Sequence, residues 1–297
     1  MSDLRFGCAL TPTVDFAAHL ELVRVAEEGG LDLVGVQDHP YVPMFVDTMA
    51  LVAALLSKTE RLRIFTCVAN LPLRPPAVLA KTAATLDLMS GGRFELGIGP
   101  GGYWDGIVGM GGPPRSRAQA REALAEAVQL IRALWNPVGG TVRFDGDHYS
   151  VGGAPTGPAP AHPISIWIGA AGPHALRQVG RIADGWVAGL PNHVPYEQRP
   201  VANAIIDEAA KKAGRAPGDV ERIVPLAGSV TDRPGRIDVS SGSAPVRGTP
   251  DQWAELIARM AAETPFTTFI FWPEQETIGQ LERFAGEVVP AARALVG

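Results

Sequence analysis

Eight short apolar runs, each followed by a longer stretch with helical spacing, set the strongest constraint on this chain. The runs are RFGCAL (5–10), LDLVGV (31–36), LRIFTCVA (62–69), FELGIG (94–99), ISIWIGA (164–170), DGWVAGL (184–190), ERIVPLAGSV (221–230) and FTTFIFW (266–272). Helical periodicity is read over 16–29, 48–57, 77–89, 116–135, 174–182, 196–213, 250–262 and 278–295. Parallel strands need crossovers of about a dozen residues, usually helical. Eightfold strand–helix alternation therefore predicts an α/β fold, a closed (β/α)8 TIM barrel rather than an open sheet. A length of 297 residues suits one barrel domain over 1–297. Two Gly- and Pro-rich segments break the rhythm, 136–163 and 231–248. Both are expected as insertions over the C-terminal face. The first contains TVRFDGDHYSV, a hairpin pattern turning at Asp145-Gly146.

Composition removes several classes. The net charge is −5 and no basic stripe interleaves with aromatics, so nucleic acid is not an expected partner. No run reaches the ~18 apolar residues of a membrane helix, and the opening MSDLRFGCAL carries no apolar leader core. A cytoplasmic location is the expectation. The two cysteines, Cys8 and Cys67, sit in apolar strand runs and read as small buried hydrophobes. The histidines show no ligand spacing, so no metal is expected. Neither a G-x-S-x-G elbow nor a Cys/His pair supports nucleophilic catalysis.

In such barrels chemistry sits at the C-terminal ends of the strands. That rule selects Gln37-Asp38-His39-Pro40, Ala69-Asn70-Leu71-Pro72, the loop from Gly99 to Trp104, the turn from Gly169 to His174, and Gly189 to Asn192. His39 is the leading catalytic candidate, since an imidazole's pKa suits proton transfer near neutrality; a structural loop histidine is the competing reading. The turn AAGPHAL opens a helix with small residues and a proline at its first position. Free N–H groups there form a phosphate cradle, or the turn is merely tight. Gly97, Gly99 and Gly102 spell G-x-G-x-x-G, yet Pro100 and more glycines follow where a helix should begin. A dinucleotide fingerprint is therefore rejected. The glycines read instead as bare backbone against which a flat ring lies. Trp104 and Trp186 lie near strand ends, where pocket lining and core packing are both open.

The runs NLPLRPPAVLAKTAATLDLMSGGRFELGIGPGG and IWIGAAGPHALRQVGRIADGW resemble the bacterial luciferase-like oxidoreductase superfamily, and within it the branch dependent on the deazaflavin coenzyme F420. The resemblance runs to about residue 220. It implies an isoalloxazine-type ring in the barrel mouth, contacting Asp38, His39 and the third strand's end, Thr66, Cys67, Val68, Ala69 and Asn70. It implies a non-proline cis peptide near Thr66-Cys67. Gly99, Gly101 and Gly102 would lie along the cofactor, and its phosphate would meet Ala170, Ala171, Gly172, Pro173, Ala175 and Leu176. Tyr103, Trp104, Asp105 and Trp186 would line the substrate pocket. The branch's sugar-phosphate dehydrogenases carry a catalytic glutamate where this chain has Gly102. The function so implied is hydride transfer between F420 and a small organic substrate. An FMN-dependent monooxygenase and a non-catalytic cofactor-binding barrel are the alternatives. Relatives of this kind commonly form homodimers.

Overall fold

A computed structural model describes residues 4–297; the first three residues of the 1–297 domain and of the opening MSDLRFGCAL lie outside the described residues. Eight parallel strands form the centre: β1 (Arg5–Leu10), β2 (Leu33–Val36), β3 (Arg63–Thr66), β4 (Phe94–Gly99), β5 (Ile166–Ala170), β6 (Gly185–Ala188), β7 (Glu221–Val230) and β8 (Thr268–Pro273). Each pairs with the next, β8 pairs with β1, and the ring closes as a (β/α)8 barrel.

The crossovers are α1 (Phe16–Glu28), α2 (Thr48–Leu56), α3 (Pro76–Ser90), α4 (Arg117–Leu134), α5 (Pro173–Ile182), α6 (Arg199–Lys212) and α7 (Pro250–Glu263). A last helical stretch begins at Ile278–Arg283. Local chemistry sets their starts. Ser116 with Gln119 and Thr249 with Gln252 form reciprocal capping boxes for α4 and α7, satisfying amides that have no partner within the helix. Gly91, at φ +68°, ends α3 in a left-handed turn that suits glycine.

The strands alternate between two cores, as a period of two requires. Phe6, Cys8 and Leu10 of β1 join the large layer packed with the helices, whereas Ala9 faces the barrel interior. That interior is filled by Ala9, Leu33, Phe65, Trp167, Val187, Ile223 and Ile270. Phe65 and Trp167 meet edge to face at 5.1 Å. Both rings need space, and glycine supplies it. A Cβ on Gly35 would lie 2.6 Å from Phe65, and one on Gly185 would lie 2.5 Å from Trp167. Because these rings plug the middle, any ligand must sit above them. Cys67, Val68 and Trp272 pack on the plug and form the floor of the C-terminal mouth.

The two insertions lie on opposite sides. Segment 231–248 leaves the C-terminal end of β7, as expected, and its short strand Val246–Gly248 pairs in parallel with β7. Segment 136–163 does not cover that face. It follows the C-terminal end of α4 and precedes β5, so it starts from the N-terminal face of the barrel. Its hairpin, Thr141–Asp145 with Ser150–Pro155, runs back along α4, where Glu126 accepts the amides of Asp147, His148 and Tyr149. Among the described residues, no helix is long and apolar enough to cross a membrane.

Candidate active site

The glycines of β4 solve a packing problem posed by β3. The peptide Cys67–Val68 is cis, one residue beyond the Thr66-Cys67 position that the resemblance implies. β3 breaks there, and Ala69–Asn70 resume pairing with Ile98 and Gly99. A Cβ on Gly97 would sit 1.8 Å from the Thr66 carbonyl oxygen, and one on Gly99 would sit 2.8 Å from Val68 Cγ2. Gly169 of β5 faces the same Val68 methyl at 3.0 Å. Thus Gly97, Gly99 and Gly169 admit the protein's own bulge, which corrects the reading of Gly97 and Gly99 as backbone laid bare for a ring. Gly101 is likewise enclosed, by Pro72, Ile107 and Trp104. Gly102 differs: it is exposed, with nothing within 4 Å of where a Cβ would stand.

At the end of β2, Asp38 and His39 face different tasks. Asp38 is 1% exposed and accepts two bonds from Arg74, Nε at 2.7 Å and Nη2 at 2.8 Å, plus the Asn70 amide at 2.8 Å. Its carboxylate ties β2 to the β3 end. Its expected contact with a ring is therefore replaced by a structural role, and Arg74, which also donates to Asp47 at 2.8 Å, is the partner that strand-end reasoning missed. His39 is half-buried. Its Nδ1 lies 2.9 Å from the Tyr41 hydroxyl, and its ring tilts against Tyr41 and Phe45. Burial lowers the imidazole's pKa below its ordinary 6.5; Asp38 opposes that shift and His193 adds to it. His39 is therefore neutral at pH 7. Burial raises the Tyr41 pKa, aided by Asp38 and Tyr103 and opposed by the Asn70 side-chain amide, so its hydroxyl stays protonated beside the histidine.

Asn70 carries the sharpest signal. Its residue is 5% exposed, and its side-chain carbonyl oxygen has no hydrogen-bond partner. A buried acceptor without a donor costs about 1–3 kcal/mol, a cost that an N–H or O–H brought to the end of β3 would relieve. Thr66, by contrast, uses its hydroxyl on the Gly97 carbonyl at 2.6 Å. Burial pushes the Cys67 thiol up to about 12 and the Cys8 thiol higher still, so neither cysteine is a thiolate.

Across the mouth, the β5 end presents an open helix start. Ala171, Gly172, Pro173 and His174 are exposed. Gly172, at φ +80°, precedes α5 without a side-chain cap. Pro173 has no amide, and the Leu176 amide already donates to the Gly172 carbonyl at 3.0 Å. The free donors are therefore the amides of His174 and Ala175. Leu176, expected at the phosphate, is instead buried in the core. Ala170 is half-buried, and its carbonyl accepts the Trp186 indole at 3.0 Å.

That bond places Trp186 in the outer layer, fully buried and stacked on Phe266, so it does not line a substrate pocket. Its neighbour Val187 takes the inward position. The tryptophan on the floor of the mouth is Trp272, two residues beyond inward-facing Ile270, a parity readable in FTTFIFW. Tyr103 is exposed and packs on Tyr41 at 5.2 Å, Trp104 is half-buried against Gly101, and Asp105 is exposed. Sequence reasoning also missed a polar chain in which Gln37 Nε2 donates to Thr11 Oγ1 at 2.7 Å. Thr11 in turn donates its amide, at 3.1 Å, and its hydroxyl to the Glu276 carboxylate. Among the described residues no cluster of three or more His, Cys, Asp or Glu is placed to hold a metal.

The family described as luciferase-like monooxygenase matches this chain over residues 2–238. The F420-dependent glucose-6-phosphate dehydrogenase of Kineococcus radiotolerans is 31% identical over 253 residues, 81% of this chain and 74% of that one. The structure matches an F420-dependent secondary alcohol dehydrogenase solved with an F420-acetone adduct (TM-score 0.84, 22% identity, 98% of this chain and 99% of that one). It also matches a monooxygenase from Streptomyces bottropensis (TM-score 0.80, 22% identity, 97% and 99%). At such identities the two structures speak for the fold alone.

Proposed function

We propose, from the premise that this chain belongs to the luciferase-like monooxygenase family, that it is an oxidoreductase holding coenzyme F420 in the barrel mouth and moving a hydride between it and a small organic substrate. The observation that carries the reading is the pairing, on one mouth, of a buried unpartnered acceptor at Asn70 with two free amides at His174 and Ala175. A flavin-like molecule has both complements, ring N–H groups and a phosphate.

Asn70 would accept from the ring, backed by Val68 and Ala69. The amides of His174 and Ala175, beside Ala171 and Gly172, would hold the phosphate. Gly102, whose Cβ position faces open space, would border the cofactor. When bound, F420 supplies two-electron hydride chemistry. The chain's own part is acid–base and positional. With Nδ1–H donating to the Tyr41 oxygen, the neutral imidazole of His39 would keep Nε2 free to take the substrate proton and return it in the reverse direction. Tyr103, Trp104 and Asp105 would shape the substrate side. Because Gly102 stands where the sugar-phosphate dehydrogenases of the resemblance carry their glutamate, the substrate differs from glucose 6-phosphate. A cytoplasmic homodimer belongs to the same proposal, and light scattering on the pure protein tests the dimer.

An FMN-dependent monooxygenase is the second reading, favoured by the family's own description as luciferase-like monooxygenase. Fluorescence titration of the protein with F420 and with FMN separates the two. Saturable F420 binding with weak FMN binding supports the proposal. Tight FMN binding without F420 binding, together with oxygen uptake by the reduced complex, overturns it.

A further inference from the structure

Two arginines lie buried between α6 and β7, and only one is paired. Arg222, on β7, is 2% exposed and donates to Asn203 at 3.1 Å, to the Val220 carbonyl and to the Asp207 carboxylate. Arg199, one turn before Asn203, is 4% exposed and, among the described residues, has no carboxylate partner. Its single hydrogen bond runs from Nη2 to the Pro225 carbonyl at 3.4 Å, while Nε and Nη1 are buried with no partner. The Tyr196 ring lies under the guanidinium at 4.7 Å. Burial pulls the Arg199 pKa down to about 10, opposed only by Tyr196. A buried, uncompensated charge costs several kcal/mol. A cation in the first turn of α6 also opposes the helix dipole.

The position is at the mouth. Ile223 is the last β7 residue paired with β6, and Pro225 lies just beyond it toward the C-terminal rim. The cover is a piece of the 231–248 insertion, fastened to Tyr196 and Glu197. The Tyr196 amide donates to the Gly242 carbonyl at 3.1 Å, the Tyr196 hydroxyl to the Ala244 carbonyl at 3.1 Å, and the Gly242 amide to Glu197 Oε2 at 2.8 Å. Glu197 is thus engaged by the strap and makes no ion pair with Arg199. The same insertion carries Arg236, close enough to Tyr196 to oppose, with Arg199, the rise that burial imposes on its phenol.

We infer that Arg199 is the anchor of an oxyanion subsite at the β6–β7 side of the mouth, covered by the strap at 242–244, and that the ligand it takes carries a carboxylate or a phosphate. A guanidinium fork matches either group in two parallel bonds. Calling that ligand the substrate rests on the oxidoreductase reading above. The subsite itself is tested without cofactor or turnover, so each can fail while the other stands.

The test measures thermal unfolding and titration calorimetry of the wild type and Arg199→Met, with sodium phosphate and sodium acetate against chloride at equal ionic strength. R199M is expected to unfold at an unchanged or higher Tm, because it removes an uncompensated charge. It is also expected to bind the effective anion at least about tenfold more weakly than wild type, as loss of one charge-assisted bidentate contact implies. Any response common to both proteins belongs to the free amides of α5. A phosphate-only difference assigns a phosphate, and an acetate-only difference assigns a carboxylate. Equal responses in both proteins, including none, overturn the subsite, as does a Tm lowered by several degrees in R199M. Tyr196→Phe supplies a reading that leaves Arg199 in place. It keeps the ring but loses the strap bond to Ala244, so the anion should bind about twofold to tenfold more tightly. Unchanged or weaker binding overturns the strap as the cover.

Discussion

The mouth of the barrel has a bare rim and a polar rim. Along β4 and β5 the rim is Gly97, Gly99, Gly169, Ala171 and Gly172, with backbone donors at His174 and Ala175. Along β1 to β3 and the loop after β8 it is Thr11, Gln37, Asp38, His39, Asn70 and Glu276. The polar rim looks the more chemical of the two, yet most of its groups satisfy one another. Asp38 belongs to Arg74, and Thr11 belongs to Gln37 and Glu276. What remains for a ligand is what structural bonding leaves over: the Asn70 carbonyl oxygen, one face of His39 and two helix amides.

The strongest way to break that division is to substitute neighbours on the polar rim. Asp38→Ala leaves Arg74 without its main partner and should cost about 3–5 kcal/mol of stability, read by denaturant unfolding. His39→Ala should leave the midpoint nearly unchanged while kcat/KM with F420 falls by about 10²–10⁴-fold. A stable Asp38→Ala protein, or an unimpaired His39→Ala enzyme, would erase the distinction between the two residues, and the latter result favours the non-catalytic barrel.

On the bare rim the contrast lies between glycines. Gly97→Ala forces a methyl into the Thr66 carbonyl and should cost at least about 1–3 kcal/mol. Acidity sharpens the polar side by a smaller amount. The His39 pKa is depressed on folding, so its contribution to stability is present above pH 6.5 and is lost as pH falls through the folded value below that. The acid limb of kcat/KM should accordingly fall below pH 6.5, and a limb at or above it contradicts the neutral imidazole. Smallest of all, Gly102→Ala should change stability by less than about 0.5 kcal/mol, since its Cβ meets open space.

Barrel closure and the strand ends were legible in the sequence because strand parity and helical spacing are local. Which strand-end residue faces a ligand was not. Asp38 and His39 are adjacent, and only the return of Arg74, 36 residues later, decides that the carboxylate is structural. The outward position of Trp186 follows from parity, since Val187 faces inward and Gly185 backs the inward Trp167. The β4 glycines were recognised as a close approach, but the approaching group is Val68 and the Thr66 carbonyl rather than a ligand. Segment 136–163 lies on the face opposite the expected one, because an insertion's side depends on whether it follows a strand or a helix; it follows α4. Glu276 and Arg199 gave no signal, since a loop carboxylate and a helix-start arginine are ordinary until their surroundings are seen.

The most direct measurement is a crystal structure of the protein with F420 bound. The account predicts the ring over the Val68–Asn70 floor with a ring donor on Asn70 Oδ1, and the phosphate within hydrogen-bond distance of the His174 and Ala175 amides. A phosphate bound away from α5, or a ring that leaves Asn70 Oδ1 without a partner, would contradict it.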